Sequence, residues 1–183
     1  EAICAWDAQG GVKLGETSAI GNARVTLHET RPVAAVSSEA GVFLWDWTNS
    51  KQQPLTNAAG KCAVFLGDRL LSIEHAENEP AEKVPATDPR QPEFAPWMLN
   101  VRDITTEQLL SSSLLTAEPW NLSADSKTQQ VVLSFRTHDV TVMDMKTHET
   151  VASVGRHAAP VIFQAFGPEN RTVVCVSIDR TAS

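Results

Sequence analysis

Four times along this chain a short apolar strand ends in aspartate. The segments are Ile3-Cys4-Ala5-Trp6-Asp7, Val42-Phe43-Leu44-Trp45-Asp46, Leu99-Asn100-Val101-Arg102-Asp103 and Val140-Thr141-Val142-Met143-Asp144. Counted from 7 to 46, 103 and 144, the aspartates stand 39, 57 and 41 residues apart. A recurrence of this kind constrains the fold strongly. Each unit is one supersecondary module that cannot bury its own apolar face and must stack on the next. Two of the spacings fall close to the ~40–45 residues that four short strands require. The longer one holds about 16 residues beyond one such period. That surplus is visible between His75 and Pro96, where prolines 80, 85, 89, 92 and 96 lie among five acidic and two basic residues. Proline removes a ladder donor and does not sit in a central strand, so 75–96 reads as an acidic, proline-rich insertion loop.

With the insertion set aside, each period divides into four strands. In the first, Arg24 to His28, Pro32 to Ser37, Val42 to Asp46 and a segment near Pro54 to Ala58 are separated by Thr30-Arg31, Glu39-Ala40-Gly41 and Thr48 to Lys51. In the third, Trp120 to Ala124, Val131 to Phe135, Val140 to Asp144 and Thr150 to Val154 are separated by Asp125-Ser126-Lys127, Thr137-His138-Asp139 and Lys146-Thr147-His148. Valine, isoleucine, phenylalanine and threonine dominate the strands, and the breaks have turn chemistry. No segment sustains helical spacing over three turns; Leu109 to Leu115, with its three serines, fits a fourth strand better than a helix. The expected fold is all-β, built from four-stranded antiparallel units. The expected division is a half unit over 1–21, units over 22–60, 61–117 and 118–158, and a half unit over 159–183.

These residues resemble the WD-repeat β-propellers. In that family a Gly-His pair precedes the innermost strand, and a Ser/Thr-x-Asp follows about twenty residues later. The counterpart here runs from Gly155-Arg156-His157 to Ser177-Ile178-Asp179. The resemblance implies a buried hydrogen-bond chain in which the His157 imidazole donates to Asp179, extended by Ser177. Buried polar groups need partners, so such a chain fixes geometry without doing chemistry. Trp-Asp stands at Trp6-Asp7 and Trp45-Asp46, and is replaced by Arg102-Asp103 and Met143-Asp144. The Gly-His positions of the earlier units hold Gly21-Asn22, Gly60-Lys61 and Glu118-Pro119. The family usually has seven blades. The chain supplies about four blades' worth of strands, opening in a third strand and stopping after a second, so it is expected to be part of a larger propeller. Trp45-Asp46-Trp47 also resembles the atypical repeats of echinoderm microtubule-associated-protein-like and ciliary propellers. Val140 to Asp144 with Thr150 to Val154 resembles bacterial surface-type propellers, some of whose relatives are lactonases or electron-transfer enzymes.

Composition narrows the function classes. Hydrophobic residues are 42% and charged residues 20% of 183, an ordinary globular mixture. Fifteen basic against 22 acidic residues give a net charge of −7, which argues against nucleic acid or an acidic membrane as partner. No apolar run approaches the ~18 residues of a membrane helix. With no targeting signal, the expected location is the cytoplasm, with cytoskeleton or cilium as the specialised alternative. Cys4, Cys62 and Cys175 are too scattered for a zinc cluster, and the latter two sit within apolar strands as small core residues.

Chemistry is sparse. The chain has no G-x-S-x-G, no P-loop and no G-x-G-x-x-G. Gly10-Gly11 is explained by a hairpin turn wanting positive φ. Histidines 28, 75, 138, 148 and 157 show no i, i+4 pair; His138-Asp139 and His148-Glu149 lie in turns ten residues apart, and read as solvated turns before they read as a metal pair. No catalytic residue, cofactor or metal is therefore expected. The expected function is a non-catalytic protein–protein interaction scaffold within a multiprotein assembly. Its candidate partner-binding loop carries Glu77, Glu79, Glu82, Asp88 and Glu93, suited to a partner with a basic surface. The alternatives are a lactonase-like or redox enzyme acting on a small molecule at the central channel, and a microtubule-associated propeller.

Overall fold

Runs of alternating or fully apolar residues closed by Asp-x-Thr, Gly and Asn turns give strands throughout this chain. The computed structural model describes residues 2–56, 60–75, 97–115, 117–167 and 172–182, and among them there is no helix. The first sheet pairs β1 (Ala2–Trp6) with β2 (Lys13–Ser18). The second is β3 (Arg24–Leu27), β4 (Val33–Ser38), β5 (Gly41–Asp46) and β6 (Lys51–Thr56). The third is β7 (Gly60–Leu66), β8 (Arg69–His75), β9 (Trp97–Asp103) and β10 (Leu109–Leu115). The fourth is β11 (Pro119–Asp125), β12 (Gln130–Phe135), β13 (Asp139–Asp144) and β14 (Glu149–Arg156), and the last pairs β15 (Val161–Phe166) with β16 (Val173–Ser177). All pairings are antiparallel and join strands adjacent in sequence.

The expected units of 22–60, 61–117 and 118–158 each hold one four-stranded sheet, and the two end segments each hold a two-stranded one. Strand ends agree with the sequence reading to within three residues, and β10 matches it at both ends. The fourth strand of the first unit is Lys51–Thr56 rather than Pro54 to Ala58, because Pro54 sits opposite Phe43 on the outer edge, where no donor is needed.

Successive sheets bury apolar layers between them, and side chains on one strand alternate between two layers. Leu71 and Ile73 of β8 join a layer with Leu99, Val101, Leu122, Val131 and Leu133. Leu70 of the same strand joins Ala35, Val42, Leu44, Ala63 and Phe65 in the preceding one. In the fourth sheet Val131 and Leu133 face backward, whereas Val132, Val140 and Val142 face forward onto Val161 and Cys175. Burial on both faces is why these strands read as near-continuous apolar runs. Removing apolar area from water at about 25 cal/mol per Å² makes these layers the main stabilising term.

The first strands of the four-stranded sheets gather on one side, β7 contacting both β3 and β11, and β11 contacting β15. Two side-chain bridges cross from the second sheet to the fourth past β7. Arg24 donates to the Trp120 carbonyl and the Asn121 side chain, both at 3.2 Å, and Ser126 donates to Glu29 at 2.8 Å. Inside the third sheet a polar cluster is enclosed. Ser72 and Asn100 donate to Glu74, the latter at 3.0 Å; Arg102 approaches it at 3.4 Å; and Ser112 donates to Asn100 at 2.5 Å.

Candidate functional site

Because strands run alternately up and down, the connections fall at two ends. Links between first and second and between third and fourth strands share one end. Links between second and third strands, and from each sheet to the next, share the other.

At the first end the recurring aspartate has a definite job. Gln9 N donates to Asp7 at 2.8 Å, and Thr48 N and Oγ1 donate to Asp46 at 2.9 and 2.6 Å. Asp103 accepts from Thr105 N and Thr106 N at 2.8 and 2.7 Å, and Asp144 accepts from Lys146 N at 2.7 Å. Asp125, in a first-to-second turn, does the same for Thr128 N at 2.8 Å. Each carboxylate thus caps the amides of its own turn, the local bonding for which aspartate is favoured at turns. Four residues on, the backbone is left-handed every time: Gly11, Ser50, Glu107, Gln129 and His148 have φ of 64°, 57°, 64°, 59° and 59°. Only Gly11 relieves that conformation with a glycine.

These bonds favour the ionised form. The Thr48 hydroxyl, with amides of the same turn, holds Asp46 below the usual carboxylate range, and the Thr106 and Thr105 amides do so for Asp103. Asp179, beyond β16, is lowered to about 2, chiefly by the Thr181 hydroxyl. Lowered pKa values in the folded state mean stability that is present above about pH 4, the unfolded value, and lost on acidification through the folded values. Thermal melts are therefore expected to change little from neutrality to about pH 5 and to fall between about pH 4 and pH 2. Asp179→Asn should flatten the lowest part of that fall. A midpoint unchanged from pH 5 to pH 2 contradicts this account.

The second end holds the neck of the insertion. His75 closes β8 and Trp97 opens β9, directly opposite in register, with ring centroids 3.7 Å apart. Residues 76–96, including Glu77, Glu79, Glu82, Asp88 and Glu93, lie outside the described residues. The same end carries the turn after β14. His157 Nδ1 lies 3.0 Å from Thr181 Oγ1 and 4.0 Å from Asp179 Oδ2. The implied direct imidazole–carboxylate bond is therefore replaced by one routed through Thr181. The reason is that Asp179 is already engaged by Ala158 N at 2.9 Å and by Thr181 N and Oγ1 at 2.8 and 2.5 Å. Ser177 donates to the Ala159 carbonyl at 2.9 Å and accepts from Asp179 N at 3.3 Å, so it extends the same turn. Thr181, one residue past the Asp179-Arg180 pair, is the member that sequence reasoning missed; a hydroxyl two residues after a turn aspartate was the available signal. Around these turns, Arg136 pairs with Glu118 at 3.1 Å, and Arg156 donates to the Thr137 carbonyl at 3.2 Å.

The tryptophans of the two Trp-Asp pairs differ. Trp45 is 2% exposed between the first two sheets, whereas Trp6 is 59% exposed on the outer side of β1. His138 and His148 stand at opposite ends of β13, so the alternative of a shared metal between them is excluded by geometry. Among the described residues, no group of three or more His, Cys, Asp or Glu is arranged to hold a metal ion. Between the second and third sheets a crevice of about 210 Å³ is lined by Arg31, Asp46, Lys51 and Gln53 over Leu44 and Ile104. Arg31 is committed to Asp68 at 2.7 Å and Asp46 to its own turn. No protein-family model matches the chain, and no curated protein matches it.

Proposed function

We propose that this chain belongs to a WD-repeat-type β-propeller and serves as a non-catalytic scaffold that grips another protein through loops at one end of its stacked sheets. The observation that carries the reading is the division of labour between the two ends. One end holds five near-identical capped turns that use up their own aspartates. The other accommodates a 21-residue segment (76–96) launched from a stacked His75–Trp97 neck, beside the His157–Asp179 turn. Rigid strands with variable loops at one end are the usual way repeat folds display a binding surface. Function then resides in the loops rather than in the sheets.

Residues 77–94 carry five acidic side chains, at 77, 79, 82, 88 and 93, against Lys83 and Arg90. A partner with a basic surface matches that composition, and steering by such charge is weakened by salt. The test deletes 77–94 in the full-length protein and compares the proteins captured from the native cytoplasmic extract at low and high ionic strength. Partners that are captured by the intact chain, released by salt and lost on deletion support the reading. An unchanged set of partners overturns it. Because His75 and Trp97 remain in place, the melting temperature of the deleted form is expected to stay close to that of the intact protein.

A further inference from the structure

The outermost strand of a sheet exposes a row of unpaired amides and carbonyls, and proteins normally blunt such edges with charge, proline or irregularity. The three outer strands of the four-stranded sheets differ sharply in this respect. β6 carries Lys51 and Pro54. β14 carries Glu149 and Arg156, Gly155 with φ of 124°, and two register shifts against β13. β10 has none of these charges or prolines. It reads Leu109-Leu110-Ser111-Ser112-Ser113-Leu114-Leu115, seven uncharged residues with one register shift, at Leu110. Leu110 is 50% and Leu114 is 65% exposed. The Ser112 hydroxyl is spent inward on Asn100, and that of Ser113 is engaged with His148 in the β13–β14 turn of the next sheet.

The strand is also a palindrome about Ser112. Any strand can meet its own copy antiparallel about a two-fold axis, the symmetry of an isologous contact, and because this one reads the same in both directions its leucines then face leucines and its serines face serines. We propose that β10 is a self-association edge, at which a second copy of this chain adds its own β10 antiparallel, with Ser112 facing Ser112. In that register Leu110 of each copy faces Leu114 of the other, giving two leucine cross-strand pairs and no opposed like charges. An edge of seven residues covers less than the ~800 Å² per partner of a standard interface, so the dimer is weak and reversible. This inference is independent of the propeller reading; it needs only the sheet edge.

The test is sedimentation of the 183-residue chain from about 10 µM to about 1 mM, the range in which a weak pair dissociates. The intact chain is expected to pass from monomer toward dimer. Leu110→Lys with Leu114→Lys sets lysines opposite one another and should raise the dissociation constant at least ~10-fold. Leu110→Lys with Leu114→Glu sets lysine opposite glutamate in both places and should restore the dimer in a salt-sensitive form. In a Cys4→Ser background, Ser112→Cys should give a disulfide-linked dimer, since facing strand positions bring Cα atoms within bridging range. A strictly monomeric intact chain overturns the proposal. So does a Lys/Lys variant that dimerises normally, a Lys/Glu variant that fails to recover, or a Ser112→Cys variant that forms no intermolecular bond. Both leucines are exposed, so unchanged far-UV circular dichroism is expected for every variant.

Discussion

Replacing Glu74 with alanine is expected to destabilise the chain by about 3 kcal/mol, lowering the melting temperature by roughly 6–12 °C. The Glu74 side chain is 4% and the Arg102 side chain 15% exposed, so the change leaves a guanidinium largely out of water with no other carboxylate paired to it among the described residues. Asn100, which donates to the carboxylate at 3.0 Å, loses its acceptor as well. The cost arises from stranding partners, since the net worth of a buried pair against apolar replacement is small. The double variant Glu74→Leu with Arg102→Met should therefore recover most of the loss, and chemical denaturation of Glu74→Ala, Arg102→Met and the double variant measures this directly. If the double variant loses as much as the sum of two singles, the pair is not coupled as described.

Trp45→Ala is expected to cost about 3–5 kcal/mol, the usual range for emptying a large buried aromatic site. Trp45 packs against Ala34, Val36 and Ala19, and meets Trp47 edge-on with ring centroids 6.1 Å apart. It thereby joins the first two-stranded sheet to its neighbour. Gly15 of β2 passes so close that an added Cβ would lie 2.7 Å from the Trp47 carbonyl and 3.2 Å from the Trp45 ring. Trp45→Phe should cost less, because phenylalanine keeps most of the apolar volume and removes an indole N–H that has no hydrogen-bond partner among the described residues. Trp6→Ala, at the equivalent sequence position, should stay within about 0.5 kcal/mol of the intact chain. Equal losses at the two tryptophans would sink this assignment.

That contrast shows what the sequence could and could not convey. The four-stranded units were legible because period-two and continuous apolar runs, turn residues and the spacing of aspartates all agree on the same strands. The role of the aspartates was partly legible. Asp7, Asp46, Asp103 and Asp144 mark the ends of third strands, but whether each carboxylate caps its own turn or reaches a distant histidine depends on which donors fold back to it. Asp179 illustrates the point, since Thr181 and Ala158 occupy its oxygens before His157 can. Burial was not legible for Trp6 and Trp45, whose local sequences are alike. Only the sheet stacked outside each residue distinguishes them. Glu74 was hidden for the same reason, because Asn100 and Arg102 reach it from the neighbouring strand, with Ser112 behind Asn100 on the next, and only Ser72 comes from its own strand.

The five capped turns set a rule for how this sequence can change length. In each, the residue four places after the aspartate adopts φ near 60°, and the following strand inherits its phase from that count. One added or lost residue there would move every side chain of the next strand to the opposite face, placing polar groups in one apolar layer and leucines or valines in water. At the opposite end the tight β4–β5 and β12–β13 turns keep counts of their own, but the β8–β9 connection has room for 21 residues between His75 and Trp97 without disturbing their register. Related chains should accordingly differ in length at the β8–β9 connection and hold it constant at the five capped turns.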